Sequence, residues 1–244
     1  MSEGLAEPAA AAATPTTPSD PNPAAPMKSA PTKPAEATES VCPADVPWQL
    51  AEKLYPRQGK WNVESFLALE PILRVELVDG SLEFLSMPEH IHHDIIGWLN
   101  SLLMAILGRG SVCPDGYRLR TPDGLREPDV IATLDRKNFG RRYATGADFV
   151  VEVISPGQSN RHRDEVTKVR VYAQAGIGEY WIIDPEAQTV RQLVLGGDAY
   201  REAGVFGRGQ TVASAKIEGL TVSLDEMFSP LDDRPSADAA QASP

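Results

Sequence analysis

Apolar residues recur along this chain at two periods, and the switches between those periods place the elements. Leu73-Arg-Val-Glu-Leu-Val78 and Leu82-Glu-Phe-Leu85 alternate on either side of Asp79-Gly80. Period-two runs flanking Asp-Gly predict a β-hairpin, because both residues tolerate the positive φ of a two-residue turn. Ahead of them, Asn62 is placed to cap a short helix over Val63–Glu70, before Pro71. After the hairpin the period lengthens. Ile91, Ile95, Leu99, Leu102, Leu103 and Ile106 share one helical face and predict a helix over Glu89–Leu107. Strands are expected near Ser111–Leu119 and Pro128–Thr133. Asp148-Phe-Val-Val-Glu-Val-Ile154 is almost continuously apolar, as a strand buried on both faces is. A helix over Asp164–Ala175 ends at Gly176-Ile-Gly178, and Tyr180–Ile183 reads as another buried strand. This order predicts an α/β (α+β) fold, a central mixed β-sheet flanked by helices in a single domain.

Outside that block the patterning stops. Residues 1–47 are dominated by Ala, Pro, Thr and Ser, with few large apolar groups to offset chain entropy, so a disordered tail is expected. The same holds for 230–244, which leaves 48–229 as the expected domain. No apolar run approaches the ~20 residues of a membrane span, so no membrane partner is expected. The N-terminal sequence lacks the charged-then-apolar pattern of a secretory signal. Cys42 and Cys113 are the only cysteines. Two distant cysteines make neither a disulfide framework nor a zinc set, and a reducing cytoplasm is the expected location.

Charge changes the picture less than its total suggests. The net charge is −11, which opposes strong steering of DNA. Yet Arg118 to Arg170 contains eleven Lys/Arg against eight Asp/Glu, a local +3 that leaves −14 elsewhere. A locally basic face can still meet phosphates, and a solvated mixed-charge surface explains the count equally well.

Candidate chemistry concentrates in the same stretch. Glu152 interrupts Phe149-Val-Val-Glu-Val-Ile154, where a carboxylate must be paired or bound to metal; the alternatives are a salt bridge and a cation site. Asp129 follows Pro128 at the entry to a strand, as a turn Asp does, but an Asp and a Glu on neighbouring strands can also hold Mg²⁺. Asp164 and Lys168 lie four apart and share a helical face, as a surface ion pair does, or as a lysine beside an attacking water does. Glu76 faces either solvent or the same cleft. His90, His92 and His93 open the long helix without matching zinc partners, and one of them can point into the cleft. Ser155 lacks a Gly-x-Ser-x-Gly elbow, and no glycine-rich phosphate loop is present.

In combination, Val75-Glu-Leu-Val-Asp-Gly80, His92 followed by Ile95-Ile-Gly97, Arg126-Glu-Pro-Asp-Val130, Phe149-Val-Val-Glu-Val-Ile-Ser155, Arg163-Asp-Glu-Val-Thr-Lys168 and Glu179-Tyr-Trp-Ile-Ile-Asp-Pro185 resemble the Uma2 family of restriction-endonuclease-like proteins, within the PD-(D/E)XK nuclease superfamily. The resemblance spans about residues 56–195. It implies a restriction-endonuclease-like core and a metal-dependent endonuclease hydrolysing DNA phosphodiester bonds. Asp129 matches the Asp of the first half-motif and Glu152 the acid of the second, so both are implied Mg²⁺ or Mn²⁺ ligands. The lysine expected two residues after Glu152 is replaced by Ile154, and the resemblance points to Lys168 on the following helix instead. Asp129, Glu152 and Lys168 are thus the implied catalytic set, with Glu76, His92 and Asp164 as accessories. Arg161, Arg163 and Arg170 are candidates for backbone phosphates. Duplex DNA is the expected partner, and a homodimer is compatible with it. The competing classes are a catalytically silent nucleic-acid- or protein-binding module on the same fold, and a hydrolase of small phosphate esters.

Overall fold

The computed structural model describes residues 55–69 and 74–232. The expectations for 1–47 and for the end of the C-terminal tail fall outside these residues. In chain order the elements are α1 (Val63–Ala68), β1 (Val75–Val78), β2 (Ser81–Phe84), α2 (His90–Leu107), β3 (Val112–Pro114), β4 (Arg118–Thr121), β5 (Gly124–Arg126), β6 (Val130–Ala132), β7 (Tyr143–Ala144) and β8 (Phe149–Val153). A helical run follows, α3 (Gln158–His162), a wide π turn (Arg163–Thr167) and α4 (Lys168–Gln174). The remainder is β9 (Glu179–Asp184), β10 (Thr189–Gly196), β11 (Ala199–Gly207), β12 (Thr211–Ala213), β13 (Thr221–Ser223) and α5 (Leu224–Phe228).

The strands form two large sheets, where the periodicity suggested one. The smaller has the order β2-β1-β5-β4-β7, the larger β11-β10-β9-β8-β6-β3, and β12 pairs with β13 as a ribbon. The division falls inside the stretch expected as a strand over Ser111–Leu119. The chain turns between Pro114 and Arg118, so β3 joins the larger sheet and β4 the smaller.

Local chemistry accounts for the smaller sheet. Asn62 accepts from the Ser65 amide at 2.8 Å while Ser65 Oγ accepts from the Asn62 amide at 3.1 Å, a capping box that starts α1. Phe66 and Leu67 of α1 then bury against Val75, Leu77 and Leu125. The hairpin turns at Asp79 (φ 46°) and Gly80 (φ 75°), both left-handed as the Asp-Gly signal requires. At Gly124 a Cβ would fall 2.0 Å from the Leu77 carbonyl oxygen, so only glycine lets β5 approach β1 this closely.

The larger sheet carries the main core. α2 buries Ile91, Ile95, Ile96, Leu99 and Leu103 against Val130, Val151, Val153, Trp181 and Ile183. Each such side chain contributes about 1.5–3 kcal/mol, and Leu99→Ala, at a fully buried position, is expected to cost about 2–5 kcal/mol. The opposite face packs Val150, Ile154, Tyr180 and Ile182 against Val171 and Tyr172 of α4. β8 is central, antiparallel to β6 and parallel to β9, and all five of its residues are buried. This mixed sheet is covered on both faces by helices. No helix among the described residues is long and apolar enough to cross a membrane.

Candidate active site

Strand alternation decides which side chains meet. In β8, Phe149, Val151 and Val153 point to the α2 side, so Val150, Glu152 and Ile154 point to the α4 side. The β6–β8 register pairs Val130 with Val151, which sets Asp129 opposite Glu152. Cross-strand neighbours share a face, and Asp129 and Glu152 indeed line one cleft with His92, Glu127, Ser155, Arg163 and Lys168. Asp129 is held from three sides. Its Oδ2 accepts from the Val153 amide at 2.7 Å, and its Oδ1 lies 3.0 Å from His92 Nε2 and 3.3 Å from Arg74. Burial disfavours its charge, but His92 and the Val153 amide outweigh that and hold its pKa below the usual value.

Lys168 enters from the opposite side. The π turn widens the helix just before it, a distortion frequent at functional sites. Asp164 and Lys168 are both buried, while Val166 between them is exposed. The ammonium lies 2.8 Å from Glu152, 3.3 Å from Asp164 and 3.5 Å from Glu76. Burial opposes its charge, yet these three carboxylates push its pKa further up. These neighbours favour its charged form, which suits it to orient a nucleophile or offset negative charge. For Glu152 the balance reverses. Burial, reinforced by Asp129, Asp164 and Glu76, outweighs Lys168 and pushes its pKa up to about 8.

Glu76 does not face solvent. Val75 and Leu77 occupy the small core, and Glu76 on the other face of β1 is fully buried. Its Oε2 accepts from Arg126 at 2.9 Å, and its Oε1 from the Glu127 amide at 2.9 Å. Burial opposes ionisation, but Lys168 and Arg126 overcome it and hold the pKa at about 2. Its two oxygens thus accept from Arg126 and Glu127, and one also lies 3.5 Å from Lys168, so Glu76 is an anchor for both cations.

The three candidate arginines separate. Arg163 lines the cleft and donates to Asp164 at 3.2 Å. Arg161 donates to Asp184 at 2.7 Å and to Glu165 at 3.0 Å, beside a neighbouring depression that also touches His92 and Ser155. Arg170 is exposed on α4. His90 is exposed and pairs with Asp94 at 3.0 Å, whereas His92 is buried. Sequence reasoning missed Arg74, Arg126, Glu127 and Tyr172. A buried arginine opposite Glu76 could have been sought in the strand after Gly124, but nothing local marks it as buried.

Among the described residues no group of three or more His, Cys, Asp or Glu side chains is arranged to hold a metal, which gives zinc no closed set. Two hard carboxylates in one cleft suit Mg²⁺ or Mn²⁺ better, since Mg²⁺ keeps several waters and takes only one or two protein carboxylates.

Comparison with known proteins places the chain independently of this geometry. Residues 63–225, more than half of the chain, match the family described as "Uma2: Putative restriction endonuclease". No curated protein matches the sequence. Among solved structures, a protein described as "a putative nuclease belonging to DUF820" from Anabaena variabilis ATCC 29413 is similar with a TM-score of 0.54 at 20% identity, over 69% of this chain and 97% of that one. At that identity the likeness speaks for the fold.

Proposed function

The chain belongs to the Uma2 family, and on that premise we propose that it is a divalent-metal-dependent endonuclease acting on duplex DNA. The observation that carries this reading is the cross-strand placement of Asp129 and Glu152 in one cleft, with the Lys168 ammonium 2.8 Å from Glu152. Asp129 and Glu152 would hold one Mg²⁺ or Mn²⁺. When bound, such a cation lowers the pKa of water and neutralises charge on a phosphate. Asp129 is prepared for this role by the Val153 amide, which fixes one of its oxygens. Lys168 orients the attacking water and offsets the charge that develops as the bond between phosphorus and the leaving oxygen breaks. With Lys168 in its charged form, the proton lost by the water goes to solvent or to the phosphate, and the leaving oxygen takes up a proton from solvent. Arg163 at the cleft wall is the nearest candidate for a flanking phosphate.

The test is cleavage of supercoiled plasmid, linear duplex, single-stranded DNA and RNA, each with Mg²⁺, Mn²⁺ or chelator. Metal-dependent nicking of duplex that Glu152→Gln abolishes is the expected result. No cleavage of any of the four polymers would sink the proposal. A silent binding module has one observation in its favour: Lys168 is already surrounded by three carboxylates. Failure to bind Mn²⁺ in a calorimetric titration is the outcome that would select that reading.

A further inference from the structure

Glu152 presents its two oxygens unequally, and one of the two groups on the held oxygen belongs to a residue that no motif singles out. Tyr172 lies four residues after Lys168 and is fully buried. Its hydroxyl donates to Glu152 Oε1 at 2.6 Å, and Lys168 Nζ lies 2.8 Å from the same oxygen. Among the described residues no side chain or amide bonds to Oε2, and Glu152 lines the cleft. Resting on the metal-dependent reading above, we propose that Tyr172 is a positioning residue. Its hydroxyl, with the Lys168 ammonium, fixes Oε1 so that Glu152 turns its other oxygen to a divalent cation shared with Asp129.

The hydroxyl and the ring have separable duties. The ring packs edge-on against Tyr180, with centroids 5.1 Å apart at 88°, in the cluster of Val150, Ile154, Val171 and Ile182. Phenylalanine would fill that space equally well. A buried phenol needs an acceptor, so a purely structural tyrosine would take Glu152 only to satisfy its own hydroxyl. The positioning role goes further: a neutral donor orients a carboxylate without cancelling the charge that a cation needs. Loss of such a supporting partner typically weakens metal binding about 10–100-fold.

The experiment compares wild type, Tyr172→Phe and Tyr200→Phe by calorimetric titration with Mn²⁺ in the absence of nucleic acid, alongside thermal midpoints. Tyr200 donates to the Ile177 carbonyl at 2.9 Å, so its variant removes a hydroxyl bond remote from Glu152. Tyr172→Phe should weaken Mn²⁺ binding about 10–100-fold, and raising Mn²⁺ should restore most of the cleavage rate. Tyr200→Phe should bind Mn²⁺ as wild type does. Should Tyr172→Phe not fold, Tyr172→Leu removes the same donor and should show the same weakening. A folded donor-less variant that binds Mn²⁺ with wild-type affinity overturns the positioning role and leaves the nuclease reading intact. A wild-type protein that takes up no Mn²⁺ overturns both.

Discussion

Glu152 in β8 and Glu179 in β9 are both buried, on neighbouring strands of one sheet, and their surroundings differ in kind. Glu179 accepts from Trp181 Nε1 at 2.6 Å, Gln192 Nε2 at 2.7 Å, Ser214 Oγ at 2.5 Å and the Lys216 amide at 2.9 Å. All four donors are neutral, and together they engage both oxygens. They also tie β9 and β10 to the segment between β12 and β13. Glu152 instead has one oxygen held by a cation and a phenol, three other acids facing it, and a small cleft beside it. A buried carboxylate alone is therefore no sign of chemistry. Saturation by neutral donors marks a structural role, whereas like charges gathered around a cleft cost stability and call for a functional reason.

That contrast has its sharpest test in activity. Glu152→Gln should lower cleavage on the order of a thousandfold, with the folded fraction near wild type. Glu179→Gln should do the reverse. It keeps cleavage per folded molecule but loses about 1–3 kcal/mol of stability, because an amide nitrogen replaces one of two oxygens that each accept from two donors. Equal loss of cleavage by both folded variants would erase the distinction.

Glu76 offers the next largest effect, on stability. Glu76→Gln leaves Arg126 and Lys168 short of a counter-charge in the interior, at an expected cost of about 3 kcal/mol or more at neutral pH. The folded-state pKa, about 2, lies below the usual 4.5. The carboxylate's contribution is thus fully present above pH 4.5 and is lost as pH falls toward 2. Urea unfolding at a series of pH values should show wild type and Glu76→Gln converging across that window. A constant gap down to pH 2 would show that the charge of Glu76 is not the source.

How much of this was legible beforehand depends on the range of the interaction. Glu152 was legible because a carboxylate in an apolar strand is a local anomaly. Asp164 and Lys168 were legible as a pair because helical spacing is local too, although the π turn that holds Asp164 is not written in the spacing. The Asp79-Gly80 hairpin follows from two residues. Arg126 and Glu76 are 50 positions apart and meet through the β1–β5 pairing, which no local pattern announces. Tyr172 looks like any aromatic residue on a helix's core face; only its partner 20 residues earlier makes it special. Beyond Asp184 no elements were assigned. β11 in particular is half exposed and irregular in burial, so its sequence carries no clear alternation.

Lys168 sharpens the comparison from the cation side. Lys168→Met removes the charge while keeping the stem that packs along the helix. The expected outcome is about a hundredfold loss of cleavage that persists when Mn²⁺ is raised to saturation. Glu179 has no cation to lose in this way. Near-normal cleavage by Lys168→Met, with a substrate that Glu152→Gln cannot cut, would leave only the two acids in the catalytic set.

The smallest effects belong to the outer arginines, and they compare a spent charge with an exposed one. Arg161 is engaged by Asp184 and Glu165, so reaching a phosphate would mean giving up those carboxylates. Arg170 is exposed, and no ion pair involves it among the described residues. Arg170→Ala should change stability by less than about 0.5 kcal/mol. If α4 runs along the duplex, the same change lowers the slope of log affinity against log salt by about one. Arg161→Ala should change that slope less, because a neutralised arginine releases few counterions when it meets a phosphate. Both slopes come from fluorescence anisotropy with a labelled duplex, measured with Ca²⁺ in place of Mg²⁺ to suppress cleavage. Slopes for Arg170→Ala indistinguishable from wild type would take α4 off the nucleic-acid face and leave Arg163, at the cleft itself, as the only one of the three arginines placed to meet a phosphate.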